Sequence, residues 1–175
     1  TGATGGVGSV AVALLAKLGF SVVAVTGKTE TKDWLLGIGA AEVISRDDLL
    51  PMAKKPMTRP LYQAGIDTCG GDMISAVLPQ LQYGGAITTC GMVAGIGFSA
   101  SVFPFIIRGV DLLGIDSVEI PQPHKQLLIK KVASEWQLPL VNFTTTIGRS
   151  ELSSVLANIL SGKGQGRYLL DLAKD

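Results

Sequence analysis

Hydrophobic positions change spacing repeatedly along this chain, and the changes mark its elements. Residues 10–18, Val10-Ala11-Val12-Ala13-Leu14-Leu15-Ala16-Lys17-Leu18, are apolar almost all round and predict a buried helix. Gly19 follows, where a helix C-terminus favours glycine. Residues 21–25 form a β-branched run that breaks at Thr26-Gly27-Lys28, and 31–38 return to helical spacing before Gly39. The pattern then predicts a strand at 42–45, a surface excursion at 51–60 carrying Pro51, Pro56 and Pro60, and a strand at 65–68. A helix at 73–81, a strand at 85–90, a helical turn at 104–108 and a strand at 112–115 come next. A helix at 126–136, a strand at 143–147, a helix at 151–160 and a strand at 167–171 complete the reading. Such alternation means parallel strands joined by helical crossovers with helices on both faces. The expected class is α/β, a Rossmann-type doubly wound parallel sheet, with residues 1–175 as one domain and neither repeats nor low-complexity linkers.

Composition narrows the function. A 175-residue chain that is 47% hydrophobic, with mean hydropathy +0.40, can bury one core and is not a disordered segment. The longest unbroken apolar run, 10–16, is far short of the roughly 18 to 20 residues of a membrane-spanning helix. The formal net charge is +1 and the 15 basic residues are scattered, so no electrostatic stripe favours nucleic acid or an anionic membrane. A small molecule is the expected partner. Cys69 and Cys90 read as reduced thiols of a cytoplasmic protein. The chain opens directly on Thr1-Gly2-Ala3-Thr4-Gly5-Gly6-Val7-Gly8, a glycine cluster that ordinarily follows a strand. The expectation is therefore a fragment that lacks the first, central strand of its sheet.

Glycines before a helix permit a tight turn and let the backbone approach a pyrophosphate, which the helix N-terminus attracts with free N–H groups. The rival reading is a glycine-rich turn that only closes a strand–helix corner. A nucleoside-triphosphatase phosphate loop is disfavoured, because no Gly-Lys-Ser/Thr follows the cluster and Gly162-Lys163-Gly164 lacks the hydroxyl residue. An Asp or Glu at the tip of the second strand would suit NAD, but the tip here is Thr26-Gly27-Lys28. NADPH is the favoured cofactor, with Lys28 near the 2′-phosphate and Glu30 starting the next helix instead.

Thr-Gly-x-x-x-Gly-x-Gly, met by residues 1–8, also opens the short-chain dehydrogenases, which need a Tyr-x-x-x-Lys pair. Tyr62, Tyr83 and Tyr168 are followed four residues later by Ile66, Ile87 and Leu172, so none forms that pair. Gly2-Ala3-Thr4-Gly5-Gly6-Val7-Gly8 instead resembles the zinc-free quinone-oxidoreductase branch of the medium-chain dehydrogenase/reductase superfamily. Leu36-Gly37-Ile38-Gly39-Ala40-Ala41-Glu42-Val43-Ile44 is similar to that superfamily's entry into the third strand. Tyr83-Gly84-Gly85, Cys90-Gly91-Met92, 104–110, 114–118 and Gly164-Gln165-Gly166-Arg167 resemble the acrylyl-CoA reductase subfamily, whose members also carry the quinone oxidoreductase label.

The resemblance implies a front GroES-like domain absent from this chain, to which the strand at 167–171 returns. It implies NADPH-dependent reduction of a carbon–carbon double bond conjugated to a thioester or carbonyl, acrylyl-CoA or a quinone being the acceptor. Zinc is not used in that branch, and one histidine and two cysteines agree, since catalytic zinc takes three protein ligands. Matched positions for the pyrophosphate are Thr4, Gly5, Gly6, Val7 and Gly8, and for the 2′-phosphate Thr26, Gly27 and Lys28. Arg46 matches a cofactor-binding arginine, with an ion pair to Asp47 or Asp48 as its other reading. Met92, Ile107 and Ser117 match positions lining the nicotinamide end, or else serve as packing. No catalytic residue is expected in the fragment, which alone is expected to be inactive. A homodimer through the edge strand at 112–118 is implied as well, and a noncatalytic NADPH-sensing module stands as the alternative function. Cys90 reads as a small apolar residue at a buried strand end, His124 as a surface residue, Trp34 and Trp136 as packing, and Asp67 as a partner of loop backbone.

Overall fold

A computed structural model describes residues 1–174. Two β-branched runs become parallel partners: β1 (Val23–Thr26) pairs with β2 (Glu42–Ser45), Val23 opposite Glu42 and Thr26 opposite Ser45. A second parallel ladder runs β3 (Tyr62–Asp67), β4 (Leu81–Thr89), β5 (Asp111–Gly114), with Asp67 opposite Thr89 and Thr89 opposite Gly114. Residues 1–3 lie between the two ladders. The Ala3 amide donates to the Val25 carbonyl (3.1 Å), and the Thr1 amine donates to the Ile66 carbonyl (2.8 Å). The order across the molecule is thus β2, β1, residues 1–3, β3, β4, β5. Three residues bridge only the C-terminal ends of β1 and β3, and Gln63 and Ala64, further back along β3, stay exposed. Among the described residues β1 and β3 are not paired with each other.

Helices cover both faces. Along β1, Ala24 points into one core with Ala3, Val12, Val22, Leu35 and Ala40, which α1 (Gly8–Lys17) and α2 (Lys32–Gly37) cover. The next residue, Val25, points into the other core with Leu49, Met73, Val77, Leu81 and Ile87, beneath α3 (Arg46–Leu49) and α4 (Asp72–Val77). Successive strand residues face opposite sides, so this single alternation makes the sheet doubly wound. Beyond α5 (Phe103–Arg108) and β5 come α6 (Gln122–Val132), then a third parallel ladder of β6 (Thr144–Ile147) and β7 (Arg167–Leu170) linked by α7 (Leu152–Leu160). Among the described residues no helix is long and apolar enough to cross a membrane.

Several elements depart from the sequence pattern. The run 73–81 is not one helix: α4 stops at Val77, Leu78–Gln80 form a single tight turn around Pro79, and Leu81 already begins β4. Proline lacks the N–H a continuing helix would use, and Leu81 gains more as a fully buried strand residue. α1 buries only Gly8, Ser9, Val12 and Ala13, so its apolar sequence overstated its burial. α6 starts at Gln122, four residues before the expected place, because Pro121 and Pro123 are suited to a first helical turn.

Candidate functional site

The glycine turn is built on its own backbone. Gly2 has φ +61°, the Gly5 amide donates to the Gly2 carbonyl (2.9 Å), and Ser9, wholly buried, donates its hydroxyl to the Gly5 carbonyl (2.8 Å). A methyl group on Gly8 would stand 2.2 Å from the Gly2 oxygen, so α1 packs directly on the turn. No side chain caps α1 and no acidic residue occupies its first turn. Among the described residues, the N–H groups of Gly6, Val7 and Gly8 find no acceptor. Three free donors at the positive end of a ten-residue helix make an anion cradle.

The C-terminal segment closes on the same turn. The Gly166 amide donates to the Thr4 carbonyl (2.8 Å), and a methyl on Gly6 would lie 3.3 Å from Cγ of Arg167. Arg167 is exposed and stands beside the free amides. Its motif is plain in the sequence, but its place at the glycine turn is not.

At the tip of β1, buried Thr26 accepts the Lys28 amide on its hydroxyl (3.0 Å). A methyl on Gly27 would lie 2.8 Å from an Arg46 Nη and 3.0 Å from its Cζ, so the guanidinium rests on Gly27. The ion pair of Arg46 with Asp47 or Asp48 does not form among the described residues. Asp48 instead accepts the Ser45 hydroxyl (2.6 Å), and the Asp48 amide donates back to Ser45 Oγ (3.0 Å), an N-terminal cap of α3. Lys28 Nζ donates to the Gly164 carbonyl. Burial pushes the Lys28 ammonium below its ordinary pKa, against the opposing pull of Glu30.

Met92, Ile107 and Ser117 are all exposed, and none of them belongs to the two buried clusters of the described residues. Met92 lies in the loop after β4, which folds over the end of β3: the Ala94 amide donates to the Cys69 carbonyl (2.8 Å), and Gly70 bridges Gly95. Ile107 is on α5, and Ser117 sits in the turn after β5 beside Asp116, whose carboxylate accepts the amides of Val118 and Glu119. The Glu119 and Val118 amides hold that carboxyl below its usual range. Asp67 is fully buried and accepts Thr1 Oγ1 (2.5 Å), the Gly70 amide (2.8 Å), Thr89 Oγ1 (3.0 Å) and the Cys69 amide (3.3 Å). It ties the ends of β3 and β4 to the start of the glycine turn. Cys90 is a correction: β4 ends at Thr89 and the thiol is exposed, not buried. Trp34 donates its indole N–H to the Asn142 carbonyl (3.3 Å), and Trp136 carries the Lys131 ammonium over its ring.

The glycine turn, Lys28, Arg46 and Arg167 lie along the C-terminal edge of parallel strands, where open α/β sheets bind ligands. The arrangement suits an elongated ligand bearing phosphates. A model of the zinc-binding dehydrogenase family matches residues 6–134. The chain belongs to that family. Acrylyl-CoA reductase AcuI of Ruegeria pomeroyi is 41% identical over 175 residues, covering 98% of this chain and 52% of AcuI. The crystal structure of YhfP from Bacillus subtilis with NAD bound superposes with TM-score 0.90 at 38% identity, over 98% of this chain and 53% of YhfP. YhdH of Escherichia coli K-12, crystallised with NADPH, gives 0.89 at 36%, over 97% of this chain and 52% of YhdH. The chain thus spans about half the length of the curated relatives it matches. It corresponds to the coenzyme-binding domain of medium-chain oxidoreductases related to acrylyl-CoA reductase and quinone oxidoreductase, the superfamily expected from residues 2–8 and 36–44 and the subfamily from 83–85, 90–92, 104–110, 114–118 and 164–167. The family is described by zinc, yet no group of three or more His, Cys, Asp or Glu among the described residues could hold a metal ion. The residues present do not fit a zinc site.

Proposed function

We propose that this chain binds NADPH and, in the full-length protein, holds it for reduction of a carbon–carbon double bond conjugated to a thioester or carbonyl. An acrylyl-CoA-like enoyl thioester is the first acceptor class and a quinone the second. The observation that carries the reading is the set of free amides at Gly6, Val7 and Gly8, in a turn whose glycines leave backbone exposed to a pyrophosphate. When bound, the nicotinamide supplies a hydride to the β-carbon of the acceptor. Thr4 and the 5–8 turn hold the pyrophosphate, with Arg167 as a further cation beside it. Thr26, Gly27, Lys28 and Arg46 take the adenosine 2′-phosphate, and residues 26–28 themselves carry no carboxylate. Met92, Ile107 and Ser117 shield the nicotinamide end from water on this side. Stabilising the enolate oxygen and protonating the α-carbon fall to groups outside this chain, which alone is inactive. β7 leads the chain back toward a front domain, and the β5 edge, with Leu113 and Ile115 about half exposed, pairs two copies.

The test is calorimetric titration of the full-length protein with NADPH and NADH, followed by acrylyl-CoA and a quinone with the nicotinamide absorbance monitored. Tighter NADPH binding with turnover of acrylyl-CoA is the expected result. Binding without cofactor oxidation by either acceptor would replace the enzyme by a sensor, and no binding of either nucleotide would sink the reading of the glycine turn.

A further inference from the structure

We infer that Asp67, which touches none of the proposed cofactor contacts, is a positioning residue: it holds the loop after β4, with Met92, in one place relative to the glycine turn and so sets where the nicotinamide lies. The inference rests on the NADPH reading and deepens it. Asp67 ends β3, is fully buried and, among the described residues, has no ion-pair partner. A buried carboxylate without a cation is costly unless its lone pairs are used. Here both oxygens are saturated. Oδ1 accepts the Thr1 hydroxyl (2.5 Å) and the Cys69 amide (3.3 Å), while Oδ2 accepts the Gly70 amide (2.8 Å) and the Thr89 hydroxyl (3.0 Å).

The two oxygens serve different parts of the site. On the Oδ1 side, Thr1 opens the glycine turn; its Oγ1 also accepts the Thr68 amide (3.2 Å), and its carbonyl accepts the Thr68 hydroxyl (3.1 Å). A methyl on Gly2 would stand 2.3 Å from Thr68 Oγ1, so the turn is seated on residues 68 and 69 without slack. On the Oδ2 side, Thr89 is the last residue of β4, directly before Cys90-Gly91-Met92, and the Cys90 amide donates to the Asp67 carbonyl (3.0 Å). A methyl on Gly70, at φ +73°, would lie 2.6 Å from the Gly95 oxygen, and one on Gly91 would lie 1.9 Å from the Thr68 oxygen. The 68–70 and 91–95 backbones are therefore in direct contact. One side chain thus joins the pyrophosphate cradle to the loop proposed for the nicotinamide, the two places a single dinucleotide must bridge. Asparagine cannot replace it, because an amide nitrogen in place of either oxygen would face the N–H of Cys69 or of Gly70 and leave it without an acceptor.

Full-length wild type, Asp67→Asn and Thr89→Val would be titrated with 2′,5′-ADP and NADPH, with the emission of the bound nicotinamide recorded. Turnover of acrylyl-CoA would be followed with NADPH and with NADPH deuterated at the transferred position. 2′,5′-ADP spans only the β1 tip and the glycine turn, so Asp67→Asn should bind it within about 2-fold of wild type. The same variant is expected to change the nicotinamide emission, lower kcat roughly 10-fold and raise the deuterium isotope effect, since a displaced hydride donor slows the chemical step. Thr89→Val removes one donor at nearly constant shape and should act in the same direction to a smaller extent; it decides the matter if Asp67→Asn does not fold. Equal losses of 2′,5′-ADP and NADPH would make Asp67 a support of the glycine turn and overturn the inference. So would emission and isotope effect unchanged from wild type. Should the wild type not turn over acrylyl-CoA, the emission comparison alone decides. A wild type that binds neither nucleotide would overturn the cofactor reading itself and this inference with it.

Discussion

Gly8 and Gly27 look alike in the sequence, yet the groups they face give their substitutions different consequences. A methyl at Gly8 would meet backbone, the Gly2 carbonyl at 2.2 Å, which cannot rotate away. Gly8→Ala is therefore expected to destabilise by about 1–3 kcal/mol through overpacking, read as a lowered melting temperature, and to weaken both nucleotides together. A methyl at Gly27 would meet only the tip of the Arg46 side chain. Gly27→Ala should keep stability within about 0.5 kcal/mol and weaken NADPH more than NADH, because only the guanidinium is displaced. Nucleotide titrations beside thermal melts separate the two cases. The glycine spacing was legible as a phosphate-binding turn, but not which glycine answers to backbone and which to a side chain. Arg46 shows the same limit: Asp47 and Asp48 are nearer in sequence, while the pairing of β1 with β2 brings Gly27 under its guanidinium.

Among the elements, the alternation of strand and helix was readable because local spacing encodes which face is buried. Boundaries shifted where long-range packing outweighed local pattern, as at 78–81, where a buried strand begins inside an expected helix. Arg108 accounts for part of what holds that junction. Its guanidinium donates to the carbonyls of Leu81 (2.9 Å), Pro79 (3.0 Å) and Thr58, clamping α5 and the 58–61 loop to the start of β4. The stretch 104–110 was legible as a helical turn and a family likeness, and the structure gives Arg108 a mechanical role besides. Lysine has one ammonium and cannot reproduce a fork with separate donors. Arg108→Lys is expected to cost about 1–3 kcal/mol, seen as a lower denaturant midpoint with an unchanged slope.

For the molecule as a whole, the flanks of β1 and β3 that pair with no strand among the described residues and the exposed apolar positions from Met92 to Ile107 are conspicuous surfaces. β5 presents a third, an edge whose backbone groups can pair with another copy. If that edge forms the proposed dimer, Leu113→Lys should convert it to monomer in sedimentation velocity, since like charges would meet across the paired strands. A dimer that survives the substitution would move the interface elsewhere. The sequence by itself determined the α/β class, the glycine turn before α1 and the acid-free tip after β1. These depend on residues a few positions apart, whose conformational preferences and spacing act before any tertiary contact forms. Tertiary structure alone decided that Gly164, 136 residues from Lys28, receives its ammonium, that Arg167 stands at the glycine turn, and that Asp67 receives both Thr1 and Thr89. Those neighbours are set by the order of parallel strands and the path of the returning chain, and nothing in local sequence specifies which distant loops a sheet edge will gather.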